Sequence, residues 1–342
     1  MRVLKWPIAV LVLLAVAYTV FWFVLAGRSQ DWIAAWAAIE PDKDWHATYG
    51  ETEVSGFPFG MNIRITTPEI VWHGEGQAAT WSGAWLVARY LPWEFDRIQL
   101  DLPEEQRIYI NAGDQPRMVV VQSSKALGQV EIANGRASKI TTETLDAVIT
   151  VEQNQAPITA GRILVEAEQI GGGQAHDLFV QIDDLGFAAR VPEPFAGEVP
   201  FLAAAFRLNG QVPSGGPVRD RLAVWRDAGG VLDILSFKLD WPPLDIEADG
   251  SVAVDQGFRP VGAFTADVVG YNDLIDALVD VGSVSRNQAS IASTVLDVMA
   301  EQDAETGERR LTVPVTVQNG TLFVGPVPLM PVPPVLPPDM LL

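Results

Sequence analysis

Cysteine is absent from the 342 residues of this chain. Without a thiol the protein can form no disulfide, no thiolate metal site and no cysteine nucleophile. Lipoprotein processing, which attaches lipid to a cysteine, is excluded for the same reason. Any attachment to a membrane must therefore come from an apolar segment of the chain itself.

Histidine is nearly absent as well, with only His46, His73 and His176 in the chain. The three stand far apart, and none has the spacing of a metal-binding motif such as HExxH. We interpret each as a structural or surface residue. The G-x-S-x-G elbow of hydrolases and the motif set of penicillin-binding proteins are also missing. The sequence therefore predicts no catalytic residue, no metal site and no cofactor site, and we expect a protein that is not an enzyme.

Positive charge is scarce, since 23 Lys and Arg stand against 43 Asp and Glu, a formal net charge of -20. A surface this acidic is repelled by the phosphates of nucleic acids and by anionic lipid headgroups. The charge therefore excludes nucleic acid as a partner. It also means that a basic surface cannot hold the protein at a membrane.

Two acidic patterns are the remaining candidates for a chemical site. The segment 245–250, DIEADG, half-matches a calcium-binding loop, but Gln256 stands where that loop needs a bidentate Glu. The same acids alternate with apolar residues, which predicts the solvent face of a strand that ends in an Asp-Gly turn. Asp183 and Asp184 could supply one of two catalytic carboxylates, and the sequence identifies no partner for them.

An apolar segment at the N-terminus, WPIAVLVLLAVAYTVFWFVLA (6–26), carries no charge. A helix of that length rises about 30 Å, which matches the hydrocarbon core of a bilayer. Arg2 and Lys5 precede it, so the positive-inside rule places the N-terminus in the cytoplasm and the rest of the chain in the periplasm. The rival interpretation is a signal peptide cleaved after Ala26. The apolar run exceeds the roughly 7–15 residues of a signal peptide, which favours an uncleaved inner-membrane anchor.

The chain divides by composition into four segments: an anchor (1–27), a juxtamembrane helix (28–44), a β-rich periplasmic domain (45–325) and a Pro-rich tail (326–342). Ser29 or Asp31 is expected to cap the juxtamembrane helix and Pro41 to end it. The segment 325–338, GPVPLMPVPPVLPP, runs from the end of the domain into the tail and predicts an extended conformation rather than a helix or a central strand. It is apolar, so we expect it to lie along the domain surface or to meet a partner.

Alternation of apolar and polar residues dominates the chain beyond Trp45 and predicts strands with one buried face. Turn pairs that favour tight hairpins separate such runs, and Gly171-Gly172-Gly173 predicts a loose hairpin rather than a phosphate-binding loop. The alternating runs are 61–66, 145–151, 235–241, 244–249 and 311–318, and the turn pairs are Asn134-Gly135, Asn209-Gly210, Asp249-Gly250 and Asn319-Gly320. The predicted fold class is mainly β (α+β), with an N-terminal transmembrane helix, a long curved antiparallel sheet and a few short helices.

Three short helices are predicted within the β-rich region, at 217–228, 272–281 and 286–301. Asn272 is expected to cap the second of them and Gly282 to end it. In the third, Ile291, Val295, Val298 and Met299 fall on one face. The last two helices are expected to cover one end of the sheet.

The segment SGFPFG (55–60) places a Phe-Pro-Phe sequence between two glycines. Proline restricts its own backbone and that of the residue before it, while glycine permits sharp turns. We interpret the segment as a structural corner in which Phe57 and Phe59 plug the end of a sheet. The alternative is an aromatic pair that grips a ligand.

Three stretches carry a resemblance to a known family: SGFPFGMNIRITTPEI (55–70), the long segment 223–270, and LTVPVTVQNGTLFVGPVPL (311–329). Their features are GFPF, a Trp-Arg-x-x-Gly-Gly turn, Asp-Trp-Pro-Pro-Leu before a strand, and a closing Asn-Gly segment. They resemble an uncharacterised alphaproteobacterial family of membrane-anchored envelope proteins, domain of unknown function 2125. Pro242 stands where that family more often has Gly. More distantly the chain is similar to AsmA-like envelope proteins, which implies a link with outer-membrane lipid homeostasis.

Three functions stay open. The first is a non-enzymatic single-pass envelope protein that binds or handles lipid in an apolar β groove, with the apolar set Phe237, Trp241, Ile246 and Val252 on its wall. The second is an adaptor that binds another envelope protein. The third, and the least supported, is a hydrolase that uses carboxylates. The partners expected are the inner membrane and either lipid or an envelope protein.

Overall fold

A computed structural model describes residues 5–37, 45–74, 77–112, 116–151, 156–187, 193–213, 217–282, 284–302, 309–325 and 327–336. The chain forms two compact units. The first comprises Met1–Val120 and Lys125–Ile140, and the second comprises Val121–Ser124 and Thr141–Leu342. Antiparallel strands dominate both, which confirms the predicted mainly β fold class with an N-terminal helix and a few short helices.

Among the described residues, the first unit has one long helix and ten strands, of which the ninth extends into the second unit. The elements are α1 (Lys5–Ala37), β1 (Trp45–Thr48), β2 (Thr52–Ser55), β3 (Met61–Thr66), β4 (Glu69–Gly74), β5 (Gln77–Gly83), β6 (Trp85–Leu91), β7 (Glu94–Leu102), β8 (Glu105–Ala112), β9 (Arg117–Gln122) and β10 (Lys125–Ala133). Strands β2, β3, β6, β7 and β10 lie side by side, and so do β1, β4, β5 and β8. Met61 pairs with Tyr90, so the β2–β3 and β6–β7 turns lie at the same end of their strands.

The second unit is built on longer strands, interrupted by three helices. The elements are β11 (Arg136–Val151), within which the division between the units falls, β12 (Ile158–Ile170), β13 (Ala175–Phe187), β14 (Glu198–Asn209), α2 (Val218–Asp227), β15 (Val231–Trp241), β16 (Leu244–Val254), β17 (Pro260–Val269), α3 (Tyr271–Asp280), α4 (Arg286–Met299), β18 (Glu301–Gln302), β19 (Arg309–Gln318), β20 (Thr321–Val324) and β21 (Val327–Pro331). From β12 to β17 each strand pairs with the next, and β19, β20 and β21 continue the sheet.

The predicted strands and most of the predicted turns are confirmed. Asn134-Gly135 and Asn319-Gly320 close hairpins with positive φ angles, and the three glycines 171–173 form the turn between β12 and β13. The prediction for Asp249-Gly250 is wrong, because both residues lie inside the continuous strand β16. Gly250 is needed there for a different reason: a Cβ atom on it would lie 2.4 Å from the carbonyl oxygen of Ala263 and 2.6 Å from the Cα of Phe264.

Replacement of Gly250 with alanine is therefore expected to destabilise the second unit. The clashing atoms belong to the backbone of β17 and cannot rotate away, so the cost should be about 1–3 kcal/mol, as for other overpacked sites. Gly197→Ala is the matched control, because the nearest atom to its new Cβ is 3.6 Å away. Thermal unfolding of the two variants measures the difference, and equal melting temperatures would contradict this explanation of the glycine.

The structure has helices in the predicted segments, but the residues at which they begin and end differ from the prediction. Helix α1 runs without a break to Ala37, so Ser29 is not a cap; its hydroxyl instead donates to the carbonyl of Leu25 at 2.8 Å. Pro41 lies outside the described residues. Helix α3 begins at Tyr271 with Gly270 as its N-cap residue, so the prediction of Asn272 as the cap is also wrong.

Of the two placements expected for the apolar tail, the structure shows the one along the surface of the domain. Strand β21 pairs with β20 as an edge strand, the position in a sheet where proline is tolerated. Beyond it the amide of Val335 donates to the carbonyl of Phe258 at 2.8 Å, and Leu336 is buried. The described part of the tail therefore packs on the second unit.

Candidate functional site

Between β12 and β19, the sheet of the second unit has one apolar face and one face on which charged and polar side chains are mixed with apolar ones. Directly paired residues of antiparallel strands project to the same side of a sheet. Two neighbouring rows on one side are entirely apolar: Val165, Val180, Ala204, Phe237, Ala248, Ala266 and Val313 in one, and Ile163, Ile182, Leu202, Leu239, Ile246, Val268 and Leu311 in the other. We call these fourteen residues the apolar face.

Helices cover the apolar face unevenly. Near β17 and β19 the face is closed, because Ala266, Leu311 and Val313 are buried in a cluster with Tyr271 of α3 and Leu296 of α4. Near β12 and β13 the apolar side chains are only half-buried, and the neighbouring Leu178 is 40% exposed. The β12–β13 end is therefore the part that a ligand could reach.

The four residues predicted for a groove wall all lie on this sheet and are half-buried: Phe237, Trp241, Ile246 and Val252. Trp241 and Ile246 contact the cluster around Leu244, Phe195 and Ala277. The register adds β12, β13 and β14 to the same face, although their sequences show the pattern less regularly. The alternation of apolar residues along β13, at Leu178, Val180 and Ile182, is the signal that could have extended the prediction.

The opposite face of the sheet carries ion pairs. Arg207 donates two hydrogen bonds of 2.7 Å to the carboxylate of Asp177, and Lys238 lies 2.8 Å from Glu247. Arg162 lies 2.7 Å from Glu143 and 3.7 Å from Asp183. Asp183, the candidate catalytic carboxylate, thus takes part in an ion pair typical of a sheet surface, which gives no support to a role in hydrolysis.

The Asp177–Arg207 pair predicts a specific pH dependence. The hydrogen bonds from Arg207 lower the pKa of Asp177 below its ordinary value of 3.8. A lowered folded-state pKa stabilises the fold above the unfolded pKa, and this stabilisation is lost as the pH falls through the folded value. Asp177→Asn should therefore lower stability at neutral pH, and its deficit should shrink as the pH falls below about 4.

Unfolding by denaturant between pH 7 and pH 3 measures this deficit. Asp249→Asn, the same change at an exposed position of β16, is the control. A deficit for Asp177→Asn that stayed constant over the whole pH range would argue against an ionic origin.

The other candidate ligands are spread over separate elements. His46 lies in β1, His73 in β4 and His176 in β13. Within the described residues, no group of three or more His, Asp or Glu could hold a metal ion. The acids of 245–250 lie along β16 rather than around a loop, and burial raises the pKa of Asp245, with a further rise from the nearby carboxylate of Glu247.

An aromatic cluster joins α1 to the β2–β3 turn within the first unit. The ring of Phe57 lies 5.4 Å from that of Trp22 and 5.8 Å from that of Phe23. The indole nitrogen of Trp22 donates to the carbonyl of Gly60 at 3.0 Å, and the hydroxyl of Tyr18 donates to the carbonyl of Pro58. The corner predicted at 55–60 is confirmed, but neither phenylalanine plugs the end of a sheet. Phe57 is 46% exposed and packs on α1, and Phe59 is 77% exposed.

The β6–β7 turn adds more exposed aromatic surface at the same end of the first unit. Trp93 and Phe95 are exposed, and the ring of Phe95 lies 6.1 Å from that of Tyr90. Tyr90 in turn approaches α1, with its hydroxyl 2.7 Å from that of Ser29. This turn was not predicted; the segment LPWEF (91–95), with its proline beside aromatic residues, was the available signal.

A further cavity, of about 320 Å³, opens between Thr67, Gly83 and Arg107 in the first unit. Its lining includes the carboxylate of Glu105, which is paired with Arg107. The lining also contains Glu69, so one carboxylate is left beside this ion pair, and the cavity combines few polar groups that could bind a ligand.

Comparison with known proteins identifies one family. Residues 22–333 match a family described as an uncharacterized protein conserved in bacteria (DUF2125). No curated protein matches the chain, and no solved structure does. The match covers most of the chain, including both units and the second half of α1.

Proposed function

The chain belongs to the uncharacterised bacterial family DUF2125, and we propose that it is a non-enzymatic, single-pass envelope protein that holds lipid acyl chains on the apolar face of its second unit. The observation that carries the proposal is the pair of apolar rows across seven strands, of which the helices α3 and α4 close only one end. Water contact with apolar surface costs about 25 cal/mol per Å². Acyl chains that cover the apolar face remove that cost, and they need no polar group on the protein to bind there.

The membrane anchor supports the same proposal. Within the part of the chain that the structure describes, one helical segment, Leu11–Ala35, is long and apolar enough to cross a membrane, with a mean hydropathy of 2.0. We propose that it stays on the mature protein, that the N-terminus is cytoplasmic, and that the β-rich region at 45–325 lies in the periplasm. An anchored protein works beside a reservoir of lipid, so acyl chains are the most abundant apolar ligand available to it. A similarity to AsmA-like proteins stays a prediction from the sequence, and it would fit this function.

Two measurements test the topology. N-terminal sequencing of the chain from membranes should find no cleavage after Ala26, and a chain that begins at Gly27 would refute the anchor. An alkaline phosphatase fused to the C-terminus should be active, because that enzyme folds only outside the cytoplasm; an inactive fusion would reverse the orientation.

A pair of variants tests lipid binding. Val165 and Leu164 are adjacent, apolar and half-buried, but they lie on opposite faces of β12. Val165→Asp should reduce the lipid that stays with the full chain after extensive detergent exchange, whereas Leu164→Asp should not. Equal lipid in both variants, with both folded by circular dichroism, would leave the proposal without support.

A second candidate function, an adaptor for another envelope protein, has one observation in its favour. Ile291, Val295, Val298 and Met299 of α4 were expected to share one face. Ile291, Val298 and Met299 are exposed, Ala289 and Leu296 pack inward, and the side chain of Val295 lies outside the described part of the chain. Such an apolar surface can bind a protein partner. If the chain is an adaptor, the double variant Ile291→Ser, Val298→Ser should abolish the stoichiometric complex between the chain and its partner protein in mild detergent. If the chain is not an adaptor, the same variant should leave lipid retention unchanged.

A further inference from the structure

The exposed part of helix α1 is too short to cross a bilayer alone. Residues 11–17 are all exposed, but from Tyr18 onward one stripe of the helix faces the strands of the first unit. The stripe consists of Tyr18, Trp22, Ala26, Ser29 and Ile33, spaced as successive turns of one helix face. From Trp6, the first residue of the charge-free run, to Ala17 the helix rises only about 18 Å, whereas the hydrocarbon core is about 30 Å thick.

To cross the remaining thickness of about 12 Å, the helix needs about eight more residues, which extend the membrane-crossing part to Leu25. Tyr18 and Trp22 therefore lie within the hydrocarbon core of the bilayer when α1 crosses the membrane. The β2–β3 turn is bound to both of them, through Pro58, Gly60 and Phe57. An anchored α1 consequently carries this turn into the bilayer.

The backbone of the turn is suited to that depth. Non-helical backbone is tolerated within hydrocarbon only where its polar groups have protein partners. The carbonyls of Pro58 and Gly60 accept hydrogen bonds from Tyr18 and Trp22, and the amide of Gly60 donates to the carbonyl of Gly56 at 3.0 Å. Proline has no amide hydrogen to satisfy. The helix thus supplies the donors that water supplies to an ordinary surface turn.

The side chains of the β2–β3 and β6–β7 turns are also suited to the interior of a bilayer. Phe59 is 77% exposed and Trp93 is 61% exposed, and the segment 55–63 contains no charge. The first charges beyond the β6–β7 turn are Glu94, Asp96 and Arg97, and Arg97 lies 3.4 Å from Glu94. In water, these aromatic residues would form an unfavourable apolar patch beside an equally apolar helix.

We propose that the β2–β3 and β6–β7 turns insert into the leaflet on the same side of the membrane as the β-rich region, with Phe57, Phe59 and Trp93 among the acyl chains. The occupant of this surface is the lipid leaflet itself, which is continuous with the lipid around α1. This inference rests on the proposed anchor. The inserted turns fix the depth and tilt of the first unit at the membrane, so α1 is a docked part of the domain rather than a free tether.

Single-cysteine labelling tests the insertion, since the chain has no cysteine of its own. Phe59→Cys and Trp93→Cys, each labelled with an environment-sensitive fluorophore, are reconstituted as full chains in phosphatidylcholine–phosphatidylglycerol vesicles. Glu104→Cys, at the exposed turn beyond the other end of β7, is the control outside the membrane. Val20→Cys, exposed on α1, is the control within it.

Labels at 59 and 93 should be quenched several-fold more strongly by nitroxide on lipid acyl chains than the label at 104, and less by aqueous iodide. Labels at 59 and 93 that behave like the label at 104, while the label at 20 is quenched by lipid, would overturn the insertion alone. A label at 20 that lipid does not quench would overturn both the anchor and the insertion. Since 59 and 93 lie on separate exposed turns, misfolding of one variant leaves the other as a test.

Discussion

Replacement of Trp225 with alanine should destabilise the second unit by about 3–5 kcal/mol, the usual cost of truncating a buried Trp. The side chain is 4% exposed in α2, and its indole nitrogen donates to the carbonyl of Asn209 at 2.7 Å. A Cβ atom on Gly230 would lie 2.2 Å from the ring, so the glycine makes room for it. The variant therefore loses apolar burial and leaves the carbonyl of Asn209 without its donor.

Two further variants separate these contributions. Trp225→Phe keeps an aromatic ring and removes the donor, so it should cost less than alanine, with about 1–3 kcal/mol for the unsatisfied carbonyl. Gly230→Ala keeps Trp225 and displaces its ring. Chemical unfolding of the three variants gives the order, and an alanine variant as stable as the wild type would refute the structural role of the Trp-Arg-x-x-Gly-Gly turn.

Introducing an aspartate at Val313 should unfold the second unit. Val313 is 3% exposed beneath α4, and an unpaired buried charge costs about 4–5 kcal/mol or more. Val165→Asp is the matched change in the same row of the apolar face, at its half-buried end. Because water can reach that position, the charge should be tolerated there.

Circular dichroism melts distinguish the two sites. We expect loss of the folded state for Val313→Asp and a cooperative transition for Val165→Asp. Unfolding of both variants would mean that the whole apolar face is closed core, in which case it offers no room for acyl chains. Stable folding of both would mean that the helices do not seal the β19 end.

The strands were predictable because one buried face imposes a two-residue period on the sequence, as in 235–241 and 311–318. The continuation of β16 through Asp249-Gly250 was not predictable, because the reason for that glycine lies in the backbone of the neighbouring strand β17. A local pattern holds no information about such a close approach.

The aromatic cluster illustrates the same limit over a longer distance. The composition of 55–60 predicted a corner, and the length of 6–26 predicted a membrane helix. That the corner packs on the helix depends on contacts between residues about forty positions apart, such as Trp22 and Gly60. Likewise, Ser29 is buried within α1 beside Tyr90 of β6, a contact between distant residues that a local capping pattern does not show.

The most direct test of lipid on the apolar face is a photo-crosslinking scan along β13. Single cysteines at each position from Leu178 to Asp183, labelled with benzophenone, are irradiated in membranes, and lipid adducts are measured by mass spectrometry. Val180 and Ile182 belong to the apolar face and Leu178 projects to the same side of the sheet, while Phe179, Gln181 and Asp183 lie on the other side. We expect adducts at 178, 180 and 182 and few at the alternate positions, including the apolar Phe179. Equal yields at all six positions, or none at any, would contradict a lipid-holding face.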